Sequence, residues 1–318
     1  MIKSSGPPDK TTPGNVGDIY QNIDNGKIFV CKDVKHRPVR QQFIEVSAKD
    51  VNTEYVWEST LIKLDDCGYL FAYDKRSKYL DKFDFSETID MSYMFTNSAK
   101  LTTISQMDTS NVTSMKDMFS YCYALTTIPQ MDTSNVTAMD NMFYNCKKLA
   151  TILQMDTSNV INMYAMFNGC SSLTTIPQMD TSKVTKMFAM FNGCSSLTTI
   201  PQMDTSKVTN ISSMFQNCTN LTNLDLRNIK TNLQIGSGTS WGHLLTVDSL
   251  VNTIKELVTQ TSYKTLTMGP ANLGKIANLY CKITDDTDPK KTMELCESTE
   301  EGAMTLKQYA QLKKWNIQ

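Results

Sequence analysis

Side chains that could act in catalysis are few in this sequence, and their spacing does not favour it. The chain of 318 residues has two histidines, His36 and His243, and neither has a partner at the spacing that a Ser-His-Asp, Cys-His or zinc site requires. The adjacent carboxylates at 65–66 and 285–286 are typical of solvated loops and do not suggest general acid–base catalysis. The sequence therefore predicts a protein that is not an enzyme and needs no cofactor.

Three residue types that can bind metals recur at regular intervals, which favours a structural role. One carboxylate per interval supplies too few oxygens for calcium, whereas Asp with Ser or Thr can accept hydrogen bonds from the N–H groups of a turn. The methionines lie at helical spacing beside Phe, which favours a core over a copper site. The cysteines are expected to form a buried ladder of thiols, with disulfides between adjacent coils as the alternative. The residues are Cys122, Cys146, Cys170, Cys194 and Cys218; Asp108, Asp132, Asp156, Asp180 and Asp204; and Met115, Met118, Met139, Met142, Met163, Met166, Met187 and Met190.

These intervals come from a repeat of 24 residues. The stretch MDTSNVTSMKDMFSYCYALTTIPQ, from Met107 to Gln130, is followed at once by MDTSNVTAMDNMFYNCKKLATILQ. Such literal repetition predicts stacked coils rather than a catalytic pocket. The first unit is degenerate, with Phe83 in place of Met and Ser98 in place of Cys, as in a capping coil. The units are 83–106, 107–130, 131–154, 155–178, 179–202 and 203–226.

Each unit is expected to contain one short helix and one short parallel strand. The apolar residues from Val112 to Cys122 fall on one face of a short helix or helical turn, and Leu125, Ile128 and Met131 form a short extended run. One coil cannot bury this apolar stripe, but stacked coils bury it as continuous ridges of Phe and Leu. Parallel strands lie about 4.8 Å apart, so six coils would make a rod or arc on the order of 30 Å long.

The residues before the repeats predict a small β domain and a cap. In residues 1–60, alternating polar and apolar residues flank the turn at 24–26, Asp-Asn-Gly, which is a strong β-hairpin signal. The segment EYVWEST at 54–60 predicts a further strand. Residues 61–82 are expected to cover the N-terminal end of the solenoid.

The residues after the repeats, 227–318, predict a C-terminal α/β cap. The segment TVDSLVNTIKELVTQ predicts a helix with Thr246 or Asp248 as its N-cap and with Leu250, Ile254 and Leu257 on one face. A strand follows in KTLTMG, then a helix in PANLGKIANLYCKI and a last helix that ends in Trp315.

Charge and hydropathy exclude several classes of partner. The 31 Lys and Arg residues balance the 32 Asp and Glu residues, so no global field attracts nucleic acid or an anionic membrane. No run of eighteen apolar residues predicts membrane insertion, and the first residues lack the apolar segment of a secretory signal. Export by that route is therefore not expected.

The phrase D-T-S-[NK]-V-T-x-M-x-x-M-F-x-x-C-x-x-L-T-x-I, which recurs from 107 to 226, resembles the BspA-like class of leucine-rich repeats. Such repeats occur in surface proteins of gut and oral bacteria and in some of their phages. The resemblance implies an α/β leucine-rich-repeat solenoid, right-handed with a strand-lined face, and an adhesive or recognition role without catalytic residues. Bacterial members usually carry a signal peptide and an anchor, and this chain departs from them in that respect.

The order GPP, TPGNVGDIY, NGKIFVCKDV and EYVWE within residues 1–60 resembles a small β-module of phage tail-fibre, baseplate and head-fibre proteins. The resemblance implies that this segment attaches to other virion proteins and that the chain, assembled in the host cytoplasm, reaches the outside by lysis on the particle surface. Self-association is then expected, because fibres are commonly symmetric homo-oligomers. No signal peptide would be required.

The exposed positions of the strand face are the candidate binding surface. Hydroxyl and amide groups there could hydrogen-bond a glycan or a protein on the host surface, although Thr is also common at exposed strand positions that bind nothing. We therefore expect a phage tail-fibre, collar or head-fibre protein that attaches to its host. A bacterial leucine-rich-repeat adhesin or interaction protein of unknown partner is the alternative. The face consists of Thr103, Thr127, Thr151, Thr175, Thr199 and Asn223.

Overall fold

The structure, a computed structural model, describes the repeats continuously and the flanking regions in part. The described residues are 2–4, 19–22, 28–32, 42–46, 62–63, 71–72, 80, 83–235, 245–257, 264–268, 270–283, 293–296 and 304–317. Both histidines, both adjacent carboxylate pairs, the turn at 24–26 and the strand expected at 54–60 lie outside them. The predicted boundaries between domains stay predictions.

The N-terminal region contains a four-stranded sheet in the order β1-β2-β3-β4. The strands are β1 (Ile2–Ser4), β2 (Ile19–Asn22), β3 (Ile28–Lys32) and β4 (Gln42–Val46). Strand β1 pairs with β2 in parallel, and the pairs β2–β3 and β3–β4 are antiparallel. The antiparallel pairing of β2 with β3 confirms the predicted hairpin, whereas β4 was not predicted from the sequence.

The repeats form a solenoid whose successive coils are bonded in parallel. Strand β5 (Ile62–Lys63) pairs in parallel with β6 (Phe83–Asp84) at its start, and β7 (Thr199–Asp204) pairs in parallel with β8 (Asn223–Arg227) near its end. Between them, each coil makes an isolated parallel bridge to the next. The bridging residues are Asp90, Ser114, Ala138, Asn162, Lys186 and Asn210.

The short helix expected in each coil is wrong, because residues 83–235 contain no helix. Asp117 and Tyr121 have φ angles of 52° and 61°, in the left-handed region that a right-handed helix cannot contain. Four-residue β-turns, closed by bonds such as Cys122 N–H to Phe119 O at 3.0 Å, alternate with bonds between coils, such as Phe119 N–H to Met142 O at 2.9 Å. These turns place apolar side chains inward about every third residue, as a helix would.

The interior of the solenoid consists of rows of like side chains, as predicted. Successive Phe rings lie nearly parallel, with interplanar angles of 4–10° and centroids 5.4–6.0 Å apart. The rows of Leu and Cys beside them are completely or almost completely buried. Dispersion and burial of these rows hold the coils together. The stacked rings are Phe71, Phe95, Phe119, Phe143, Phe167, Phe191 and Phe215.

The C-terminal region mixes short helices and strands. Its elements are β9 (Leu233–Ile235), α1 (Val247–Lys255), β10 (Lys264–Met268), α2 (Pro270–Ile276), β11 (Tyr280–Ile283), β12 (Met293–Cys296), β13 (Met304–Thr305), α3 (Leu306–Leu312) and β14 (Trp315–Ile317). Strands β14, β10 and β9 form a parallel sheet, and β12, β11 and β13 form an antiparallel one. No helix in this described set is long and apolar enough to span a bilayer.

Helix α1 agrees with the helix that the sequence predicts, whereas the later helices agree with their predictions only in part. The Thr246 hydroxyl caps α1 by accepting a hydrogen bond from Ser249 N–H at 3.2 Å. The helix expected across 270–283 ends at Ile276 and is followed by β11. Trp315 lies in β14 and not at the end of a helix, because Lys314, with a φ of 58°, cannot continue α3.

Helix α1 covers the last strand of the solenoid. The Ser249 hydroxyl accepts from Leu224 N–H at 2.9 Å and donates to the Leu224 carbonyl at 3.1 Å, so both backbone polar groups of Leu224 in β8 have a partner in the helix. At the other end of α1, Arg227 Nη1 donates to Glu256 Oε1 at 2.9 Å. Both contacts protect an otherwise open strand edge.

Candidate binding faces of the solenoid

The Asp-Thr-Ser segment of each coil is engaged in structural hydrogen bonds. Asp132 Oδ1 accepts from Ser134 N–H at 3.0 Å, and the Thr133 hydroxyl donates to the Asp156 carbonyl of the next coil at 2.8 Å. The bond from Ser134 lowers the pKa of Asp132, and equivalent bonds lower the pKa of Asp156 and Asp180. The aspartates therefore build turns, and the described residues include no group of three or more His, Cys, Asp or Glu that could hold a metal.

The repeated cysteines are buried free thiols, as expected. Each donates to a Phe carbonyl of the preceding coil, for example Cys170 Sγ to Phe143 O at 3.0 Å. Burial raises the pKa of Cys122, Cys170 and Cys218 to about 12. At neutral pH the reactive thiolate is therefore almost absent, and the alternative of disulfides between coils is not observed in this ladder.

Two threonine rows run side by side along the face where the sequence predicts a strand in each coil, and they differ in their hydrogen bonds. The strand predicted for each coil is present there only as β7 and β8, and residues 85–198 contain no strand. In the first row, the Thr126 hydroxyl donates to the Thr102 carbonyl at 3.0 Å, and Thr222 donates to Thr198 in the same way at 3.0 Å. In the second row, no hydroxyl has a hydrogen-bond partner within the described solenoid, 83–235. We call this second row the free threonine row; it consists of Thr103, Thr127, Thr151, Thr175 and Thr199.

The free threonine row lies at the surface, as the sequence predicted. All its members are exposed except Thr199, which is half-buried. Thr199 is paired with Asn223 across β7 and β8, so the row is in register from coil to coil there. Asn223 is exposed but engaged, because its Oδ1 accepts from the Thr246 hydroxyl of the cap at 2.9 Å. Asn223 is therefore the least available of the predicted face residues.

Glutamine and apolar side chains border the free threonine row. Gln130 Nε2 donates to the Gln154 carbonyl of the next coil at 2.8 Å, and Gln154 donates to Gln178 in the same way. These amides are therefore structural. Pro129 is half-buried and Leu153, at the equivalent position of the next coil, is 49% exposed. The face thus offers free hydroxyls beside a narrow apolar strip.

A second face, formed by the turns, carries aromatic side chains that were not predicted from the sequence. The Tyr121 ring contacts Tyr123 and Tyr144 edge to face, with centroids 6.0 and 5.2 Å apart. Lys147 Nζ lies 5.2 Å from the centre of the Tyr123 ring. We call Tyr121, Tyr123 and Tyr144 the tyrosine cluster. The signal for it was available, because these positions differ from coil to coil while most others do not.

The surroundings of the tyrosine cluster are polar and balanced in charge. Asn141 Nδ2 donates to Asp117 Oδ2 at 3.3 Å, and Lys116 Nζ lies 3.5 Å from Asp140 Oδ2. Burial raises the pKa of Asp117. The face therefore presents aromatic rings, amides and paired charges.

A comparison with models of known protein families gives a match that covers the repeats. A family model described as "Mycoplasma protein of unknown function, DUF285" matches residues 65–175 and again residues 147–237. The two matches together span 65–237, which is more than half of the chain and includes both faces. No curated protein matches the chain, and no solved structure matches it.

Proposed function

The chain belongs to the family of the Mycoplasma protein of unknown function, DUF285, and from this premise we propose that its solenoid is a non-enzymatic binding module. In this proposal the chain is a phage virion protein of a tail fibre, collar or head fibre. The leucine-rich-repeat solenoid of 24-residue coils attaches the particle to a glycan or protein on the host surface.

The free threonine row is the observation that carries the proposal. The coil-to-coil bonds of Thr126, Gln130 and Thr133 are structural, whereas the hydroxyl of Thr127 has no partner in the described solenoid. A hydroxyl can both donate and accept, so each unused threonine offers its full hydrogen-bonding capacity to a ligand.

The rigid spacing of the row favours a ligand that is itself extended and repetitive. Equivalent side chains of parallel strands lie about 4.8 Å apart, and the packed Phe rows prevent neighbouring coils from moving independently. Several weak contacts made together on a preorganised surface lose little entropy. A surface polysaccharide or an extended protein strand has this form.

The virion location is supported by the N-terminal resemblance. Strands β1–β4 supply a small sheet separate in sequence from the repeats, as an attachment module requires. The proposal includes contacts of residues 1–60 with other virion proteins and self-association of the chain. Immunogold electron microscopy tests this part: labelled virions support it, and label on bacterial surfaces would favour the alternative of a bacterial adhesin.

Adsorption to cells tests the binding function. The full chain is applied to a panel of gut and oral bacteria. These are the bacteria whose surface proteins carry the repeats that the chain resembles. A triple variant with Thr127→Val, Thr151→Val and Thr175→Val removes three free hydroxyls at nearly constant volume. We expect this variant to adsorb at least roughly tenfold more weakly. A tenfold change corresponds to about 1.4 kcal/mol of binding free energy.

The adjacent threonine row supplies the matched control. Thr126→Val, Thr174→Val and Thr198→Val remove hydroxyls that donate to backbone carbonyls. This variant should adsorb as the unmodified chain does at a temperature where both are folded. Equal adsorption by the free-row variant, or no adsorption by the unmodified chain, would reject the proposed function.

A further inference from the structure

The coils differ from one another mainly on the turn face, and the differences bring three tyrosines together. Tyr121 occupies a position that is Asn or Gly in every other coil. Tyr123 stands where two later coils have Ser, and Tyr144 where they have Asn. The equivalents are Asn97, Asn145, Gly169, Gly193 and Asn217 for Tyr121; Ser171 and Ser195 for Tyr123; and Asn168 and Asn192 for Tyr144.

The backbone at Tyr121 does not favour tyrosine. Its φ of 61° lies in the left-handed region, where Gly and Asn are readily accommodated and a bulky side chain is strained. Burial compensates for little of this backbone strain, because Tyr121 is only half-buried and Tyr123, which it contacts, is 38% exposed. The edge-to-face contacts of Tyr121 with Tyr123 and Tyr144 offset part of this cost, and residues held in unfavourable backbone conformations occur at functional sites.

The cluster has the composition of a carbohydrate site. We propose that Tyr121, Tyr123 and Tyr144, with Lys147 and Asn145, bind a hexose-containing glycan; the inference rests on the proposed binding function and adds a second surface with a defined ligand class. The rings provide rigid apolar faces for the C–H face of a pyranose, and their hydroxyls provide polar edges. Lys147 Nζ, 5.2 Å from the Tyr123 ring centre, and the Asn145 amide can hydrogen-bond sugar hydroxyls.

Charge favours a glycan over a charged macromolecule. Lys116 and Asp140 on this face are paired at 3.5 Å, and Asp117 accepts from Asn141. Rings with amides and few net charges match a ligand that is rich in hydroxyl groups and uncharged. A protein partner is the competing outcome of the test.

The chain itself provides replacements that fit the fold. Tyr121→Asn, Tyr123→Ser and Tyr144→Asn introduce residues that other coils already carry at these positions, so the triple variant is expected to fold. Tyr164→Ser is the matched control, because Tyr164 is 39% exposed, similar to Tyr123, but lies two coils later, in the unit 155–178, and stacks on Phe188 instead. The equivalent of Tyr164 in another coil is Ser212.

A glycan array probed with the full chain tests the inference, with calorimetric titration of the best oligosaccharide. The unmodified chain and Tyr164→Ser should bind a hexose-containing glycan, and the tyrosine-cluster variant should bind it at least roughly tenfold more weakly. Equal glycan binding by the cluster variant would overturn the inference.

The cell assay separates this outcome from failure of the proposed function. Adsorption of the unmodified chain to cells without any glycan signal would overturn the inference and leave the binding function standing, with a protein as the ligand. Glycan binding that depends on the tyrosine cluster, without adsorption to cells, would support the inference and reject host attachment.

Discussion

The thiol of Cys170 donates a hydrogen bond to the carbonyl oxygen of Phe143, one coil earlier, over 3.0 Å. The first coil has Ser98 at the equivalent position, and its hydroxyl donates to the Phe71 carbonyl over 2.9 Å. Ser98 therefore makes the same hydrogen bond as the cysteines of the later coils, although the first repeat is otherwise degenerate. The position requires a small side chain that can donate to a buried carbonyl.

Replacing Cys170 should distinguish the need for a donor from the need for an apolar group. Cys170→Ser keeps a donor, whereas Cys170→Ala removes one of the two hydrogen bonds that the Phe143 carbonyl accepts, the other coming from Cys146 N–H at 3.0 Å. The loss of this one bond should cost about 0.5–1.5 kcal/mol. We expect the alanine variant to have the lower free energy of unfolding, measured by urea denaturation. A more stable alanine variant would mean that the hydrogen bond contributes little.

The buried thiols should make the solenoid less stable at alkaline pH. The pKa of Cys170 rises from its ordinary value of 9.0 to about 12 on folding, so the unfolded chain loses the proton first. The free energy of unfolding is unaffected by this thiol below about pH 9 and falls as the pH rises toward 12. Between pH 8 and 10 the loss is about 1.4 kcal/mol per thiol.

Urea titrations of the unmodified chain and of Cys170→Ser at pH 8 and pH 10 measure this loss. Tyrosines and lysines titrate in both proteins, so the difference between the two pH dependences isolates the thiol. The serine variant should lose less stability than the unmodified chain. Identical pH dependence would show that Cys170 is not held protonated.

The Phe ladder should dominate the stability of the repeats. Phe167 is fully buried between Phe143 and Phe191, with ring centroids 5.6 and 5.7 Å away. Phe167→Ala should cost about 3–5 kcal/mol through lost burial and a cavity. Thr175→Ala, on the exposed face, should change stability by less than about 0.5 kcal/mol. If circular dichroism melts showed Thr175→Ala to be the less stable variant, the assignment of inward and outward side chains in the coil would be wrong.

The inward rows were predictable from the sequence because burial is periodic. Phe119, Cys122 and Leu125 recur in each coil, and a single coil cannot shield them, so stacking follows from hydrophobicity alone. The free threonine row was predictable for the same reason: Thr127 lies between inward residues and must point outward. Which of two adjacent threonines bonds to a carbonyl depends on coordinates and could not be read from the sequence.

The turn face could not be derived from apolar spacing. Successive β-turns and a helix both place Met115, Met118 and Cys122 inward, so the spacing of apolar residues does not distinguish the two structures. The recurring Asn and Gly at the position of Tyr121 were the signal for a left-handed residue, which excludes a helix. Tyr121 itself obscures this signal in the unit 107–130.

Two glycines with the same backbone conformation should tolerate alanine differently. Gly169 and Gly193 have φ angles of 77° and 78°, so alanine meets the same left-handed penalty of about 1–2 kcal/mol at both. A Cβ on Gly169 would also overlap Asn145 Oδ1, whereas a Cβ on Gly193 would lie 3.4 Å from Gly169 Cα, an ordinary contact. Gly169→Ala should therefore lower the melting temperature more than Gly193→Ala.

A double variant identifies the cause of that difference. Asn145→Ala removes the amide that a Cβ on Gly169 would displace, so the added cost of Gly169→Ala should largely disappear in this background. The residual cost should approach that of Gly193→Ala, because what remains is the backbone cost and a contact of 3.3 Å between the added Cβ and Asn145 Cα. If the cost of Gly169→Ala is the same with and without Asn145, the amide moves aside freely, and its position over the neighbouring coil is not fixed as the proposed glycan contact requires.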